Sequence, residues 1–281
     1  MTVKKFLKAM IEKVQQNDLF NIGAMLAYYL LFSIFPFLIF LLNIVGLIAA
    51  EYQQDILELL QVLPKNVVAI INPILTSMIN SSSGTLLSVS LLLALWAGSK
   101  GIIKLMGEVS RAFGSTKPHS FLVTRALGLL FTLALSAMMV VLVSANVFGD
   151  IIYHYVVSLV GEQELLMEVF HFLRGTVPFL VMVIIFALLY RFSPSADVKR
   201  KITIVEMLPG ALFTSVSWII ITYAFSFYVN NFGRYDATYG SLGGIIVLLL
   251  WLYLSSIVMV LGAYVSSVYV DLKEQDKLEI K

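Results

Sequence analysis

Four charged residues near the end of one apolar stretch have the types and spacing to bind an anion. They follow one another at intervals of four, four and three residues and are Lys100, Lys104, Glu108 and Arg111. On a helix this spacing places all four on one face, where Glu108 can pair with Lys104. The basic side chains then offer donors to phosphate or carboxylate, and arginine can hold either bidentately. The row predicts contacts to an anionic head group from Lys100, Lys104 and Arg111; ordinary basic anchors at a membrane surface are the alternative.

A semi-polar stripe in the first apolar stretch is a second candidate for substrate contact. Tyr29, Ser33 and Pro36 recur at helical spacing. Pro36 removes one backbone hydrogen bond, which frees the carbonyl of Phe32 and bends the helix. Broken helices of this kind offer backbone groups to substrates in transporters, whereas a kinked helix with a packing role is the simpler interpretation.

Small residues in the last apolar stretch predict a helix-packing seam rather than a substrate path. Residues of this size let two helix backbones approach closely within a membrane. The seam residues are Gly240, Gly244, Trp251, Ser255 and Gly262. The pattern leaves open whether the seam is internal or joins two subunits of a homo-oligomer.

The remaining chemistry-bearing residues do not indicate catalysis. The chain has no cysteine, and its histidines, His119, His154 and His171, lack the spacing of metal ligands. It has no nucleophile elbow, phosphate-binding loop or paired acids in an apolar stretch. A net charge of +2 is too small for a nucleic-acid-binding protein of this length. We therefore predict no enzyme activity, metal, cofactor or nucleic-acid partner.

The elements that must position these residues are membrane-spanning helices. Hydrophobic residues make up 59% of the 281 residues and charged residues 13%, which is more apolar surface than a soluble domain can bury. Crossing a bilayer takes about 20 apolar residues. Six stretches meet this requirement and predict an all-α fold with spans at about 22–50, 85–105, 126–148, 172–191, 207–230 and 239–268.

The distribution of basic residues predicts how these spans are oriented. Sixteen of the nineteen lysines and arginines fall on one side of the six spans, and Lys65, Arg174 and Arg234 fall on the other. Because basic loops resist translocation, the richer side is predicted to be cytoplasmic, with both termini there. The predicted organisation is a cytoplasmic amphipathic helix over 1–20, a single transmembrane domain over 21–270 and a cytoplasmic tail over 271–281.

Two regions outside the spans are predicted to form amphipathic helices. The apolar face of the N-terminal helix comprises Val3, Phe6, Leu7, Met10, Ile11 and Val14. We expect this helix to lie at the inner membrane surface. In the outer connection over 51–84, two apolar stripes separated by Pro64 predict two helices that either rest on the outer leaflet or cap a cavity.

Several stretches in order resemble the YihY/BrkB family of bacterial multi-pass inner-membrane proteins. They are AYYLLFSIFP at 27–36, LW at 95–96 with Ser99 and Gly101, YRFSP at 190–194, PGA at 209–211, and YGSLGG at 239–244 leading to LWLY at 250–253. The resemblance implies a location in the bacterial cytoplasmic membrane. The family has carried ribonuclease BN and virulence-factor labels. Its acidic residue after the Gly-Ala of the last span is absent here, where the run is GAYVS at 262–266.

These observations support three hypotheses about function. The first is a transporter or flippase for an amphipathic or lipid-like substrate, with membrane lipids as partners. The second is a non-transporting membrane scaffold in envelope assembly. The third is a ribonuclease, which the family label suggests and which the scattered histidines of this sequence do not support.

Overall fold

Seven long helices make up most of the part of the chain that the structure describes. The structure is a computed structural model that describes residues 3–51, 73, 76–77, 79–147, 149, 153, 157–158, 164–195, 197–198, 202–232 and 242–279. In chain order the helices are α1 (Val3–Gln16), α2 (Leu19–Glu51), α3 (Gly84–Ala112), α4 (Phe121–Val147), α5 (Glu164–Phe192), α6 (Ile204–Phe232) and α7 (Gly243–Glu279). Most of the predicted outer-connection helices, Lys65, Arg234 and the seam residue Gly240 lie outside the described residues.

Helices α2 to α7 are each long and apolar enough to cross a membrane. The prediction of an all-α protein with six spans is therefore confirmed, and each predicted span overlaps one of these helices. The predicted amphipathic helix at the N-terminus is α1. The cytoplasmic location of the termini stays a prediction.

Local sequence determines where several of these helices begin and end. Asp18 separates α1 from α2 with a φ of 39°. Helix α3 ends at Ala112, and the turn that follows contains Gly114, whose φ of 81° suits glycine. At the start of α6, Thr203 and Glu206 form a capping box, in which the Glu206 carboxylate accepts the Thr203 amide at 3.0 Å and its hydroxyl at 2.9 Å.

The chain packs as two compact units that divide α2 and α3. The main unit comprises residues 1–28 and 99–281, and the small unit comprises residues 29–98. In the main unit, α6 packs against α5 and, most extensively, against α7, while α1 also contacts α7. Its fully buried side chains include Phe186 and Tyr190 of α5, Met207 of α6 and Tyr264 of α7.

Candidate functional site

An apolar groove lies in the small unit. It has a volume of about 340 Å³, which lies in the range of small-molecule sites. Its walls are residues of α2 and α3: Phe32, Phe35, Pro36, Ile39, Leu86, Val89, Ser90 and Leu93. The hydroxyl of Ser90 donates to the carbonyl of Leu87 on its own helix at 3.1 Å, so the walls present hydrocarbon.

The three candidate contacts on α2 take different places. Pro36 is part of the groove wall. Ser33 does not line the groove, and its hydroxyl donates to the Leu30 carbonyl at 2.6 Å. Tyr29 is half-buried on the same helix and also lies outside the groove lining. The structure thus retains Pro36 as a groove residue, while Tyr29 and Ser33 are not brought to it.

The basic row on α3 belongs to the main unit and has a different internal pairing from the one expected. Glu108 Oε1 lies 2.7 Å from Nη2 of Arg111, so the close partner of Glu108 is Arg111 rather than Lys104. Spacings of three and four residues both allow a pair on a helix. Lys104 is exposed and contributes a longer-range attraction to Glu108.

Burial distinguishes the two members of this ion pair. The Glu108 side chain is 5% exposed and that of Arg111 is 65% exposed. Among the described residues, Glu108 is the only charged residue that is buried. Removing a carboxylate from water is costly unless it is paired and hydrogen-bonded, so Arg111 offsets that cost. In return, Glu108 holds an exposed guanidinium in place, which keeps donors available to an anion.

The predicted seam brings α5, α6 and α7 together around one buried tyrosine. The hydroxyl of Tyr190 donates to the Met259 carbonyl at 2.6 Å, and its oxygen is 2.7 Å from the Thr214 hydroxyl. Because the tyrosine has a single proton, Thr214 is the donor in the second bond. A Cβ at Gly262 would overlap the Thr214 hydroxyl and come within 2.7 Å of the Tyr190 hydroxyl. Glycine is therefore required where the helices cross.

Further along the same contact, two tryptophans pack edge to face. The rings of Trp218 and Trp251 lie 5.7 Å apart at 68°. The Trp218 indole donates to the Ser255 hydroxyl at 3.2 Å, and the Trp251 indole donates to the Thr222 hydroxyl at 3.4 Å. Buried indole groups need such partners. The fifth and sixth spans therefore pack against one another as expected, through Trp251, Ser255 and Gly262.

Gly244, another predicted seam residue, lies outside this contact. It is exposed, and among the described residues a Cβ added to it would meet no atom within 4 Å. The described part of the chain therefore shows no close approach at Gly244, and a role for this glycine in a contact between subunits stays a prediction.

Hydrogen bonds to Asp197 join two loops of the main unit, and the sequence did not predict this contact, which we call the clasp. Asp197 accepts hydrogen bonds from the Ser115 hydroxyl at 2.6 Å and from the amides of Thr116 at 2.8 Å and Lys117 at 2.9 Å. These bonds, first among them the one from Ser115, hold the pKa of Asp197 well below its usual range. Gly114, two residues after the end of α3, adopts a left-handed conformation at the start of the loop that carries these donors.

Two neighbouring contacts reinforce the clasp. The Ser110 hydroxyl accepts the Ser195 amide at 3.2 Å and lies 3.3 Å from its hydroxyl. His119 Nε2 lies 3.1 Å from the Ser193 carbonyl oxygen. Ser193 and Asp197 of the second loop therefore bind the first loop, Ser195 binds the end of α3, and His119 has a structural contact there.

Comparison with known proteins identifies similar chains over most of the length. The family described as Virulence factor BrkB matches residues 10–280. The ribonuclease-like protein YfkH of Bacillus subtilis (strain 168) is 33% identical over 262 residues, which cover 93% of this chain and 94% of that protein.

Shorter similarities extend to other bacterial membrane proteins. A UPF0761 membrane protein of Histophilus somni (strain 2336) is 32% identical over 120 residues, 43% of this chain and 40% of that protein. Another, from Xanthomonas campestris pv. campestris (strain B100), is 37% identical over 90 residues, 32% of this chain and 20% of that protein. No solved structure matches the chain.

Proposed function

We propose that this chain, which belongs to the BrkB virulence factor family and is a multi-pass protein of the bacterial membrane, binds and translocates a lipid-like amphiphile. The observation that carries this proposal is the apolar groove of the small unit. The basic row of the main unit supports it independently, because it supplies contacts for a charged head group.

The groove is suited to an acyl chain. Its walls carry large apolar side chains that are about half exposed, such as Phe32 at 60%, Phe35 at 54% and Leu93 at 50%. In a bilayer an unfilled gap beside such residues would forfeit dispersion contacts, so hydrocarbon from the surroundings fills it. Pro36 lies in this wall and interrupts the hydrogen bonds of α2 there. The groove is therefore lined partly by the point of α2 that bends most easily.

The basic row is suited to an anionic head group. Lys100, Lys104 and Arg111 follow one another along one face of α3, and Glu108 fixes the guanidinium of Arg111. Phosphate oxygens accept from both lysine and arginine, and the planar guanidinium can hold two of them at once. An amphiphile with a phosphate or carboxylate group is thus the substrate class that these residues favour.

Lipid exchange in proteoliposomes tests the proposal. Head-group-labelled anionic and zwitterionic lipids are followed across vesicles that contain the native chain or the Lys100→Ala plus Lys104→Ala variant. We expect faster exchange with the native chain and a loss of about tenfold or more for the anionic lipid in the variant, since two charge-assisted contacts are removed. Exchange no faster than in empty vesicles, under a range of ion gradients, would overturn the proposal.

A pair of adjacent substitutions isolates the contribution of the groove. Leu93 lines the groove, whereas Leu92 is 67% exposed and does not. A tryptophan at position 93 fills the cavity, while the same change at 92 adds equal bulk outside it. We expect Leu93→Trp to slow exchange and Leu92→Trp to leave it unchanged. Equal effects of the two variants would remove the groove from the pathway.

The tight contact of α6 and α7 favours a second candidate, a non-transporting membrane scaffold. Such a protein needs packed helices and no substrate path, and the Gly262 crossing is of that kind. The exchange experiment separates the candidates, because a scaffold leaves lipid movement at the level of empty vesicles. We further propose that this chain is not a ribonuclease, despite the name of its ribonuclease-like relative from Bacillus subtilis. RNA cleavage by the pure protein with added divalent metal would refute this.

A further inference from the structure

The N-terminal helix α1 has an apolar side that is only partly covered. Met10 and Val14 pack against the buried core of the main unit. Val3, Leu7 and Ile11 are exposed at 72%, 55% and 57%. Their spacing of four residues forms one row along the helix, which we call the α1 row. Sequence periodicity predicted one apolar stripe, and the structure shows that the core covers only part of it.

Contacts of α1 attach it to the C-terminal part of α7. The Lys13 ammonium donates to the Ser267 hydroxyl at 2.5 Å and lies 3.6 Å from the carboxylate of Asp271. Both partners belong to α7, the helix whose apolar stretch is long enough to cross a membrane. Because α1 is held near one end of that stretch, the surface of a membrane crossed by α7 would lie close to its uncovered side.

Charge along the edge of the α1 row indicates which lipid it meets. Lys4 and Lys8 follow Val3 and Leu7 by one residue, so both lie on the same flank of the row. Both are exposed, and Lys8 is 3.9 Å from Glu12 in a solvated pair that contributes little. An apolar row bordered by lysines matches a membrane surface with anionic head groups. A second copy of the chain would bring lysines against lysines.

We propose that α1 is an interfacial helix that inserts the α1 row into an anionic lipid leaflet, with Lys4 and Lys8 at the head groups. The opposite edge of α1 stays attached to α7 through Lys13. This role is independent of translocation, since it requires a lipid surface and no substrate path. Because Lys13 binds the C-terminal part of α7, the charge of the lipid surface would also affect that part of α7.

Spin labels on the full chain in nanodiscs test this proposal. The chain contains no cysteine, so Leu7→Cys and Ile11→Cys each introduce one labelling site. Gln16→Cys is the matched control, because Gln16 is exposed and lies about 180° around the helix from the row. Accessibility to oxygen, which concentrates in lipid, is compared with accessibility to a water-soluble nickel chelate.

We expect labels at 7 and 11 to be reached by oxygen and shielded from nickel in nanodiscs of phosphatidylglycerol, with the reverse at 16. In phosphatidylcholine alone, or after Lys4→Gln plus Lys8→Gln, the inserted population should fall, by about fivefold for each lysine charge that no longer meets an anionic head group. High nickel access at 7 and 11 in phosphatidylglycerol would overturn the proposal. Low access to both reagents would also overturn it, because it indicates a protein partner or a second copy. Equal insertion in both lipids would do the same, because it would show that lipid charge has no effect.

Discussion

The seam of the main unit and the groove of the small unit are built from the same apolar helices but differ in the size of the residues that meet. At the seam, Gly262 and Thr214 let backbones approach until hydroxyls bond across the helices. At the groove, Phe32, Phe35 and Leu93 face a cavity and leave room beside them. The difference teaches that small and hydroxylated residues fix a contact within a membrane, whereas large apolar residues leave space that a hydrocarbon can occupy.

Adding one methyl group at the seam should lower the stability far more than a change in the groove wall. A Cβ at Gly262 would overlap the Thr214 hydroxyl and lie 2.8 Å from the Gly210 carbonyl. Since both neighbours belong to packed helices, we expect Gly262→Ala to cost about 3 kcal/mol of unfolding free energy. Thermal unfolding in detergent measures this.

Gly244→Ala is the matched control for that change. A Cβ at Gly244 meets no atom within 4 Å, so its effect on unfolding should stay within about 0.5 kcal/mol. If the two alanine variants unfold at the same temperature, the seam is not the rigid region that the contrast requires.

Removing the buried hydroxyl of Tyr190 should have the next largest effect. The Phe variant keeps the ring but leaves the Met259 carbonyl and the Thr214 hydroxyl without their partner. We expect Tyr190→Phe to cost about 1 to 3 kcal/mol, the usual cost of an unsatisfied buried group. Tyr223→Phe, on an exposed tyrosine of α6, provides the comparison. Unfolding curves that overlap for the two variants would show that the hydrogen bonds at the crossing contribute nothing.

Acid should weaken the main unit at the loop clasp. The folded pKa of Asp197 is lowered by its hydrogen bonds, so the ionised form stabilises the fold above the unfolded pKa of about 4. That contribution is lost as the pH falls below about 4 toward the folded pKa. The expected result is a native unfolding temperature that declines over this range more steeply than that of Asp197→Asn. Parallel pH profiles would contradict the assignment of the clasp to Asp197.

Shortening a groove residue should have the smallest effect on stability. Val89 is 47% exposed in the groove wall, so Val89→Ala removes few contacts and should cost less than about 0.5 kcal/mol. Buried Phe186 is the contrasting position, where alanine should cost about 3 to 5 kcal/mol. Unfolding measurements on both variants sharpen the comparison. A large loss from Val89→Ala would mean that the groove is packed like the seam.

The sequence predicted the six spans because length and hydropathy alone determine whether a helix can cross a membrane. Part of the seam was also predictable, since Gly262, Ser255 and Trp251 recur at helical spacing. The contact of Tyr190 with this seam was not predictable, because periodicity within α7 does not show which residue of α5 packs against α7. The difference between Gly262 and Gly244 was not predictable for the same reason, because spacing shows which face a residue is on but not where along that face another helix lies.

Individual residues of the candidate site were predictable from the sequence, but the contacts between them were not. The charges of the basic row were found, but the partner of Glu108 depends on burial, which distinguishes Arg111 from Lys104. Pro36 was predicted as an irregular point of α2, whereas the groove beside it depends on side chains from α3 that are 50 to 57 residues away. The Asp197 clasp joins positions 80 to 82 residues apart, and no local pattern connects them.

The hydroxyl of Ser267 also constrains the order in which the protein can be assembled. It donates to the Ala112 carbonyl at 2.6 Å while accepting from Lys13, which is 254 residues earlier. At the usual rate of about 5 to 20 residues per second, a ribosome needs roughly 10 to 50 seconds to make the intervening chain. Until then α1 has no α7 to dock on. Helix α1 therefore leaves the ribosome well before it can reach its final contacts, and its exposed apolar residues must be accommodated in the meantime.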